Sequence, residues 1–398
     1  MNNLLEGIRV LDFSQNAAGP TATAMLADYG AEVVKIERPV IGNTQRTFGM
    51  QCDNGVSLLG AWLDRGKKSV EMDLKDPQAI ELIKRMVKDF DVVAESNRPG
   101  VMDRLGLGYE ELRKINPKLV YLSVSMYGQK GPYGKKPGWD VMAQAMSGLM
   151  DITGEKNGPP MKHGTTLSDY VAGISAFGHI LAALRYADKT GIGQQIDVSL
   201  FMTDIYLNGS IGYLNVGINP TRSGNHQATV TPYGVFEGKN GQNVVMAAAT
   251  DKLWCGLCDV MDRPDLKTDP RSDTLNHRRE NSEWVIKIIE DWLKTYDDIR
   301  VPMKMMESAG LACCKVMNSE EVIADPQVQY NHYLTEIPVP DNVTSRKTYL
   351  ERNCAAIFSE TPGTVKKAPT VGENNVEILE RYMSDEEIKD SLARWRKK

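Results

Sequence analysis

The residue best placed for chemistry is Asp169, a carboxylate at the start of a long helical pattern. Between Ser168 and Ala187, apolar and small residues recur at helical spacing, so one face can pack closely against a neighbour. Asp169 falls in the first turn, where the positive end of the helix dipole stabilises an acid. Taken alone, Ser168 and Asp169 are typical of an ordinary helix cap. The local pattern therefore predicts where this carboxylate lies and leaves its role open.

The cysteines offer no comparable arrangement in the sequence. All six are scattered along the chain, at Cys52, Cys255, Cys258, Cys313, Cys314 and Cys354. Cys255 and Cys258 have CxxC spacing, but they fall in an apparent helix and no second pair follows. We interpret them as buried or idle thiols and predict neither a metal site nor a redox site.

Composition restricts the class of protein. The chain has 398 residues, of which 41% are apolar and 25% charged, which suffices for two domains with real cores. A net charge of −5 argues against broad electrostatic binding to nucleic acid. No continuous apolar run approaches the roughly 20 residues of a membrane helix, and the N-terminus lacks a signal-peptide pattern. We therefore expect a cytoplasmic protein that contacts neither membrane nor nucleic acid.

The first two hundred residues alternate between strand-like and helix-like segments. Buried strands are predicted at 8–14, 32–37, 91–96, 119–125 and 194–200. Helical patterns separate them at 20–29, 76–90, 109–115 and 139–150. This alternation predicts a doubly wound α/β sheet, which binds ligands at the carboxyl ends of its strands. Those ends are the turns after Phe13, Glu37, Ser96 and Ser125.

The turn after the first predicted strand has no G-x-G-x-x-G motif, and no phosphate-binding P-loop occurs anywhere in the sequence. A dinucleotide or a nucleoside triphosphate is therefore not the expected ligand. A Gly-, Asn- and Thr-rich stretch then predicts a linker into a second unit. The expected organisation is a large domain over 1–205, a linker over 206–225, a small α+β domain over 226–325, and a segment over 326–398 that returns to the large domain.

Six segments, in this order and spacing, resemble the class III CoA-transferase family, which includes formyl-CoA and carnitine CoA-transferases. They are 5–20, 26–39, 65–77, 98–133, 165–173 and 190–200. The match covers nearly the whole chain. The resemblance implies an α/β fold with a Rossmann-like, doubly wound large domain and a smaller α+β domain. It also implies a homodimer of two interlocked subunits.

In that family the catalytic residue is an aspartate at the position of Asp169. The resemblance implies that its carboxylate attacks an acyl-CoA thioester, giving a mixed anhydride and then an aspartyl-CoA thioester. Anhydride and thioester have comparable acyl-transfer potential, so no ATP is needed. The implied substrates are CoA thioesters and free carboxylic acids, and no permanently bound cofactor is expected.

The resemblance also implies a set of contacts to CoA. Arg38 and Arg104 suit the phosphates and the adenine, because a guanidinium can bind phosphate in a fork and stack on a purine. The full implied set is Arg38, Lys75, Asn97, Arg104, Ala18 and Trp139. Ser96 stands where the family usually has Asn, which changes the hydrogen bonding of this loop. Ala17 replaces the Gln of formyl-CoA transferases, which suggests an acceptor bulkier than formate or oxalate.

Two alternatives to CoA transfer remain at this stage. One is an α-methylacyl-CoA racemase, although Trp139 stands where racemases present a His and an indole cannot act as a base. The other is a non-catalytic CoA-binding homologue, which the retained Asp169 argues against. The sequence does not identify the exchanged acids. Without a cluster of acidic residues to bind a quaternary ammonium, a neutral acyl group is the expectation, and His226 and Tyr233 are possible contacts to it.

Overall fold

The computed structural model describes residues 3–49, 57–339 and 347–397. Cys52 and part of the predicted returning segment, 340–346, lie outside these ranges. The chain forms two compact units. Unit 1 comprises residues 1–149, 163–209 and 326–398, and unit 2 comprises residues 150–162 and 210–325. Unit 2 thus includes 150–162, which the sequence analysis assigns to the large domain.

Unit 1 is organised around a six-stranded sheet whose neighbouring strands are all parallel. The strands are β1 (Arg9–Phe13), β2 (Glu32–Glu37), β3 (Lys68–Glu71), β4 (Val92–Glu95), β5 (Val120–Ser125) and β6 (Gln195–Ser199). Their spatial order is β3-β2-β1-β4-β5-β6. The predicted α/β class is confirmed. Strand β3 is not predicted from the sequence, because only Val70 of its four residues is apolar.

Helices cover both faces of this sheet. Those preceding the last strand are α1 (Ala18–Asp28), α2 (Leu58–Leu63), α3 (Pro77–Met86), α4 (Val101–Arg104), α5 (Tyr109–Ile115), α6 (Asp140–Met146) and α7 (Leu167–Thr190), and α8 (Leu200–Leu207) follows it. One core joins α1, α6 and α7 to the sheet, and a second core joins α3, α5 and the C-terminal helices to the other face. Burial on both faces explains why the central strands are almost uniformly apolar.

The C-terminal segment belongs to unit 1. It forms α15 (Pro326–Tyr330), an antiparallel pair of β10 (Leu334–Pro338) and β11 (Thr348–Arg352), α16 (Asn375–Leu379) and α17 (Asp385–Trp395). Ser384 separates α16 from α17, because it forms a capping box with Glu387 that starts α17. Ile378 and Trp395 bury the segment in the second core.

Unit 2 is an α+β module with a three-stranded antiparallel sheet in the order β7-β8-β9. Its strands are β7 (Tyr233–Glu237), β8 (Asn243–Ala247) and β9 (Ala312–Lys315). Its helices are α9 (Ile211–Leu214), α10 (Asp251–Val260), α11 (Leu275–Glu280), α12 (Ser282–Leu293), α13 (Arg300–Ser308) and α14 (Ser319–Ala324). Phe236, Trp254 and Ile289 lie in its core, each fully or almost fully buried.

Within the described residues, α7 alone is long and apolar enough to cross a membrane by length and composition, with a mean hydropathy of 1.3. A search for continuous apolar runs misses it, because Asp169, His179 and Arg185 interrupt the helix. Ala172 and Ile180 lie in the first core, where α7 packs against α1. This packing accounts for the apolar composition of the helix.

Candidate active site

The chain changes direction across the sheet between β1 and β4, which are neighbours although β2 and β3 lie between them in sequence. The loops that follow these two strands are hydrogen-bonded to each other. The backbone N–H of Gln15 donates to Ser96 Oγ at 2.7 Å, and Ser96 Oγ lies 2.9 Å from the Gln15 carbonyl. The Gln15 side chain also donates to Asn97 Oδ1 at 3.2 Å. Such a switch point is where parallel α/β sheets bind ligands.

Helix α1 begins at this switch point and brings the start of α7 beside it. A β-carbon on Gly173 of α7 would lie 2.6 Å from the carbonyl oxygen of Ala18, so only glycine permits this approach. Ala18 is the first residue of α1 and is buried. Asp169 precedes Gly173 by about one helical turn. The half-buried carboxylate of Asp169 therefore belongs to the helix end that adjoins the carboxyl edge of the sheet.

Asp140 caps α7 from a different helix. Its Oδ1 accepts hydrogen bonds from the backbone N–H of Ser168 at 2.7 Å and of Asp169 at 3.4 Å. The N-cap residue, Thr166, supplies no side-chain bond. Gln144 Nε2 donates to the second oxygen of Asp140 at 2.6 Å. The interpretation of Ser168 and Asp169 as the cap is therefore wrong, because a carboxylate 28 residues earlier in the chain fills that role.

The pKa of Asp169 is raised to about 7 by burial first, and then by the nearby carboxyl groups of Asp140 and Asp204, each of which repels a charge on Asp169 when it is itself ionised. Among the described residues, no Lys, Arg or His forms an ion pair with any of these three carboxylates. The expectation that the helix amides keep Asp169 ionised is not met, since burial and like charges outweigh them. A carboxylate that is half ionised near neutrality is more basic than usual, which suits a nucleophile.

The residues implied as CoA contacts follow successive strands at the carboxyl edge. Lys75 comes after β3, Arg38 after β2, Ala18 after β1, and Asn97 and Arg104 after β4. Because β3, β2, β1 and β4 are adjacent in the sheet, the topology places these residues along one edge. The side chains of Lys75, Arg38 and Arg104 are exposed. Asn97 is half-buried and donates its backbone N–H to Glu95 at 2.7 Å.

Trp139 stands apart from these polar groups. It directly precedes α6, its side chain is 54% exposed, and its ring stacks on Phe48 with a centroid distance of 6.2 Å and an interplanar angle of 5°. Phe48 is also exposed. Two exposed rings stacked next to Asp140 form an apolar surface close to the start of α7. Phe48 is not among the residues predicted from the sequence.

The sequence of residues 5–375 matches the model of a protein family described as CoA-transferase family III. This chain belongs to CoA-transferase family III. The human succinyl-CoA:glutarate CoA-transferase is 34% identical over 387 residues, covering 96% of this chain and 87% of that protein. The acetyl-CoA:oxalate CoA-transferase of Acetobacter aceti is 34% identical over 393 residues, covering 96% of each. The solved structure of a CAIB/BAIF family protein from Brucella suis is 29% identical, with a TM-score of 0.83 over 96% of this chain and 100% of that one.

As a family III CoA-transferase, the protein moves CoA between an acyl-CoA and a carboxylic acid. The resemblance stated from sequence is confirmed. The racemase alternative is disfavoured, because the indole of Trp139 cannot act as the base that racemisation needs at this position. The relatives are also named as transferases. Burial also raises the pKa of the Cys258 thiol to about 12 and keeps it protonated, so Cys258 is disfavoured as a nucleophile.

Two residues of this CoA-transferase site are missed by the sequence analysis. Asp140 stands out in the sequence only as the neighbour of Trp139, and Asp204 lies in a run that resembles an apolar helix, Leu200–Leu207. A single acid in an apolar helix is a detectable signal, since a buried carboxylate needs a partner. His226 and Tyr233 lie in unit 2, where the His226 ring contacts Phe236 edge to face at 5.0 Å.

Proposed function

We propose that this CoA-transferase moves CoA from an acyl-CoA to a dicarboxylic acid, with Asp169 as the nucleophile. The position and environment of Asp169 support this proposal most strongly. Its half-buried carboxylate lies at the helix end next to the ligand-binding edge, its pKa is raised to about 7, and no cation among the described residues pairs with it. An ionised carboxylate in such surroundings is poorly solvated and therefore reactive toward a thioester.

The reaction proceeds by acyl exchange at one carboxylate. An oxygen of Asp169 attacks the thioester carbonyl, the C–S bond breaks, and CoA leaves as the thiolate. The thiolate then attacks the carbonyl carbon of Asp169 in the mixed anhydride, which releases the donor acid and forms an aspartyl-CoA thioester. The acceptor carboxylate attacks this thioester, and the released thiolate takes the acceptor acyl group, which frees Asp169. No net proton is gained or lost, so the steps need no separate acid or base.

The acceptor class follows from the relatives and from Ala17. Glutarate and oxalate, which appear in the names of the two relatives, are both dicarboxylic acids. Ala17 is buried at the N-cap of α1, and its side chain has no amide group that could donate a hydrogen bond. More room and one donor fewer favour a dicarboxylate longer than oxalate. This proposal replaces the neutral acyl group expected from sequence.

The CoA contacts are proposed at the residues along the carboxyl edge. Arg38 and Arg104 would bind the phosphates, because both are exposed and neither pairs with an acid in the described parts of the chain. Lys75 and Asn97 would add contacts on either side. Ala18 is the first residue of α1. The N-cap residue of this helix makes no side-chain hydrogen bond to the backbone N–H groups of the first turn. The exposed Trp139 ring would line the path toward Asp169.

A cytoplasmic homodimer of interlocked subunits is also proposed. Unit 1 exposes apolar side chains along α8, namely Met202, Ile205, Tyr206 and Leu207, with Tyr206 90% exposed. An apolar helix surface of this kind marks a protein interface. Sedimentation of the purified protein as a monomer at micromolar concentration would contradict the dimer.

Trapping of the acyl-enzyme tests the proposed nucleophile. The enzyme is incubated with succinyl-CoA or acetyl-CoA, treated with hydroxylamine or borohydride, and examined by intact mass spectrometry and peptide mapping. We expect the modification on the peptide that contains Asp169, because both reagents attack activated acyl groups. Modification of another residue, or none with either donor in the presence of glutarate, would contradict the proposal.

The proposed role of Arg104 makes a kinetic prediction. Replacing Arg104 by alanine is expected to raise the KM for acyl-CoA about tenfold and to lower kcat less than about threefold, because the contact is made equally in ground and transition states. Arg113→Ala is the matched control, since that exposed guanidinium lies over the Tyr109 ring on the neighbouring helix α5. A loss of kcat with unchanged KM would contradict a contact to bound CoA.

A further inference from the structure

Asp204 is a fully buried acid that the transfer mechanism does not use. It lies in α8 and has no exposed surface. Its Oδ2 is 2.6 Å from Ser168 Oγ, next to Asp169 in the chain. Its other oxygen, Oδ1, is buried and has no hydrogen-bond partner among the described residues. An ionised carboxylate with a bare oxygen in the interior would carry a large desolvation cost.

The hydrogen bonds of Ser168 indicate where a proton lies. Ser168 Oγ is near two oxygens, Asp204 Oδ2 at 2.6 Å and the backbone carbonyl of Asp140 at 3.2 Å. The hydroxyl has one proton, and a carbonyl oxygen can only accept. When Ser168 donates to the carbonyl of Asp140, its contact with Asp204 is a hydrogen bond only if Asp204 carries a proton and donates it.

The charges around Asp204 favour the same state. Helix α8 packs against α6, α7 and β6. The ionisable group on α6 is Asp140, and α7 contributes Asp169, whose pKa responds to an ionised Asp204. On β6, Asp197 accepts a hydrogen bond from the backbone of Gln129 at 2.8 Å. The pKa of Asp204 lies above its ordinary value. Burial raises it most strongly, the hydrogen bond with Ser168 acts in the opposite direction, and Asp140 adds to the increase.

We propose that Asp204 is a neutral carboxylic acid at neutral pH, which donates its proton to Ser168 Oγ and so positions the first turn of α7 without adding charge beside Asp169. Asp204 is thus a positioning residue for the acyl transfer. Its consequence for catalysis rests on the proposed role of Asp169. With Asp204 neutral, Asp169 is free of one of the two like charges that would raise its pKa, so it ionises more easily near neutral pH. Like-charged carboxylates in one site cannot all ionise together, and here Asp204 is the acid that stays protonated.

Infrared spectroscopy tests the proton on Asp204 directly. The experiment uses the Asp169→Asn variant with 13C-labelled aspartate carboxyl groups, so that the result does not depend on the role of Asp169. We expect an isotope-sensitive carbonyl band of a protonated aspartic acid at pH 7, and we expect Asp204→Asn to remove it. Asp188→Asn, an exposed position on the same helix as Asp169, is the control that keeps the band. Absence of the band, or its survival in Asp204→Asn, would overturn the proposal.

Ser168→Ala provides a second measurement of the same proton. Removing the hydroxyl takes away the only hydrogen-bond partner that the Asp204 carboxyl group has among the described residues. The carbonyl band should then remain and move to the higher frequency of an acid without a hydrogen bond. Loss of the band in this variant would show that Asp204 is ionised without Ser168, which contradicts a proton held by burial and like charge. This measurement stays informative if Asp204→Asn does not fold.

The pH dependence of activity tests the consequence for Asp169. Asp204→Asn keeps a donor to Ser168, because an amide can donate as the neutral acid does, so the measurement compares the pH dependence of the two enzymes and not their maximal rates. The acid limb of kcat/KM should shift by less than about 0.3 pH unit, because no charge is removed. A shift to lower pH by about one unit or more would show that Asp204 is ionised in the wild type. The two proposals can fail separately. If Asp204→Asn removes the infrared band but Asp169 forms no adduct in the trapping experiment, the proposed proton on Asp204 is supported and only the proposed nucleophile is refuted.

Discussion

Replacing Asp169 by asparagine is expected to lower kcat for CoA transfer by at least about a thousandfold. An amide oxygen cannot form the anhydride or the aspartyl-CoA thioester, so both proposed intermediates are lost. The residues proposed to hold CoA follow other strands of the sheet, so binding of CoA should persist. Steady-state kinetics with succinyl-CoA and glutarate, together with calorimetric titration of CoA, measure the two effects separately.

Asp188→Asn serves as the control for this substitution. Asp188 is an exposed acid near the other end of α7, so it removes the same charge from the same helix far from the site. Its kcat should stay within about twofold of wild type, as surface substitutions usually leave function and stability unchanged. Retention of more than a tenth of wild-type kcat by Asp169→Asn would rule out this carboxylate as the nucleophile.

The Asp169→Asn variant should also be more stable than the wild type at neutral pH. The folded-state pKa of Asp169 is raised to about 7, above the value of about 3.9 in an unfolded chain. The folded protein therefore binds more protons than the unfolded chain between these values, and wild-type stability falls as pH rises through this window. Asp169→Asn does not titrate. Thermal unfolding should show little difference between the two proteins near pH 4 and a higher Tm for the variant at pH 8.

Replacing Asp12 by alanine is expected to destabilise the protein by about 3–5 kcal/mol. Asp12 lies near the end of β1 in a fully buried ionic cluster, where it accepts hydrogen bonds from Lys67 Nζ at 3.0 Å and Lys35 Nζ at 3.4 Å. Without it, two buried ammonium groups lose their main counter-charge. Lys67 Nζ also donates to the carbonyl of Pro20 at 3.3 Å, so the cluster holds the first turn of α1. Urea denaturation monitored by circular dichroism measures the loss.

The stability of the Asp12→Ala variant should be measured at a pH where the Asp12 carboxyl group of the wild type is ionised. Burial alone would raise the pKa of Asp12, but Lys35 and Lys67 outweigh it and hold the pKa below the ordinary range. A carboxylate with a lowered folded-state pKa stabilises the protein above its unfolded-state pKa and loses this effect only as the pH falls through the folded value. The full contribution is therefore present at pH 7.

A surface ion pair provides the contrast. Glu111 pairs with Lys114 at 2.6 Å on α5, and both side chains are more than half exposed. Glu111→Ala should leave the free energy of unfolding almost unchanged, because solvent screens this pair. An Asp12→Ala variant no less stable than Glu111→Ala would show that the buried lysines do not depend on Asp12.

Some features of the site are local, and the sequence predicts them because their cause lies within a few residues. The apolar runs of β1, β2, β4 and β5 predict strands, since a parallel strand buried on both faces must be apolar. The spacing of small residues predicts α7 and places Asp169 at its start. The family resemblance adds CoA transfer, which the comparisons confirm.

The remaining features depend on tertiary contacts. Asp140 caps α7 from 28 residues away, and Asp204 meets Ser168 across 36 residues. No local pattern encodes such pairs, because they form only when α6, α7 and α8 pack together. Strand β3 is likewise defined by its pairing with β2, since its own residues are mostly polar.

Asp169 shows most clearly which properties the sequence determines and which ones depend on the tertiary structure. The sequence by itself determined that an aspartate begins a long, small-residue helix, and from the dipole alone such an acid should ionise easily. Only the tertiary structure decided its pKa, because burial, first of all, and the carboxyl groups that α6 and α8 bring to it act in the opposite direction. Electrostatic effects are set by what surrounds a charge in space, and those neighbours are chosen by packing.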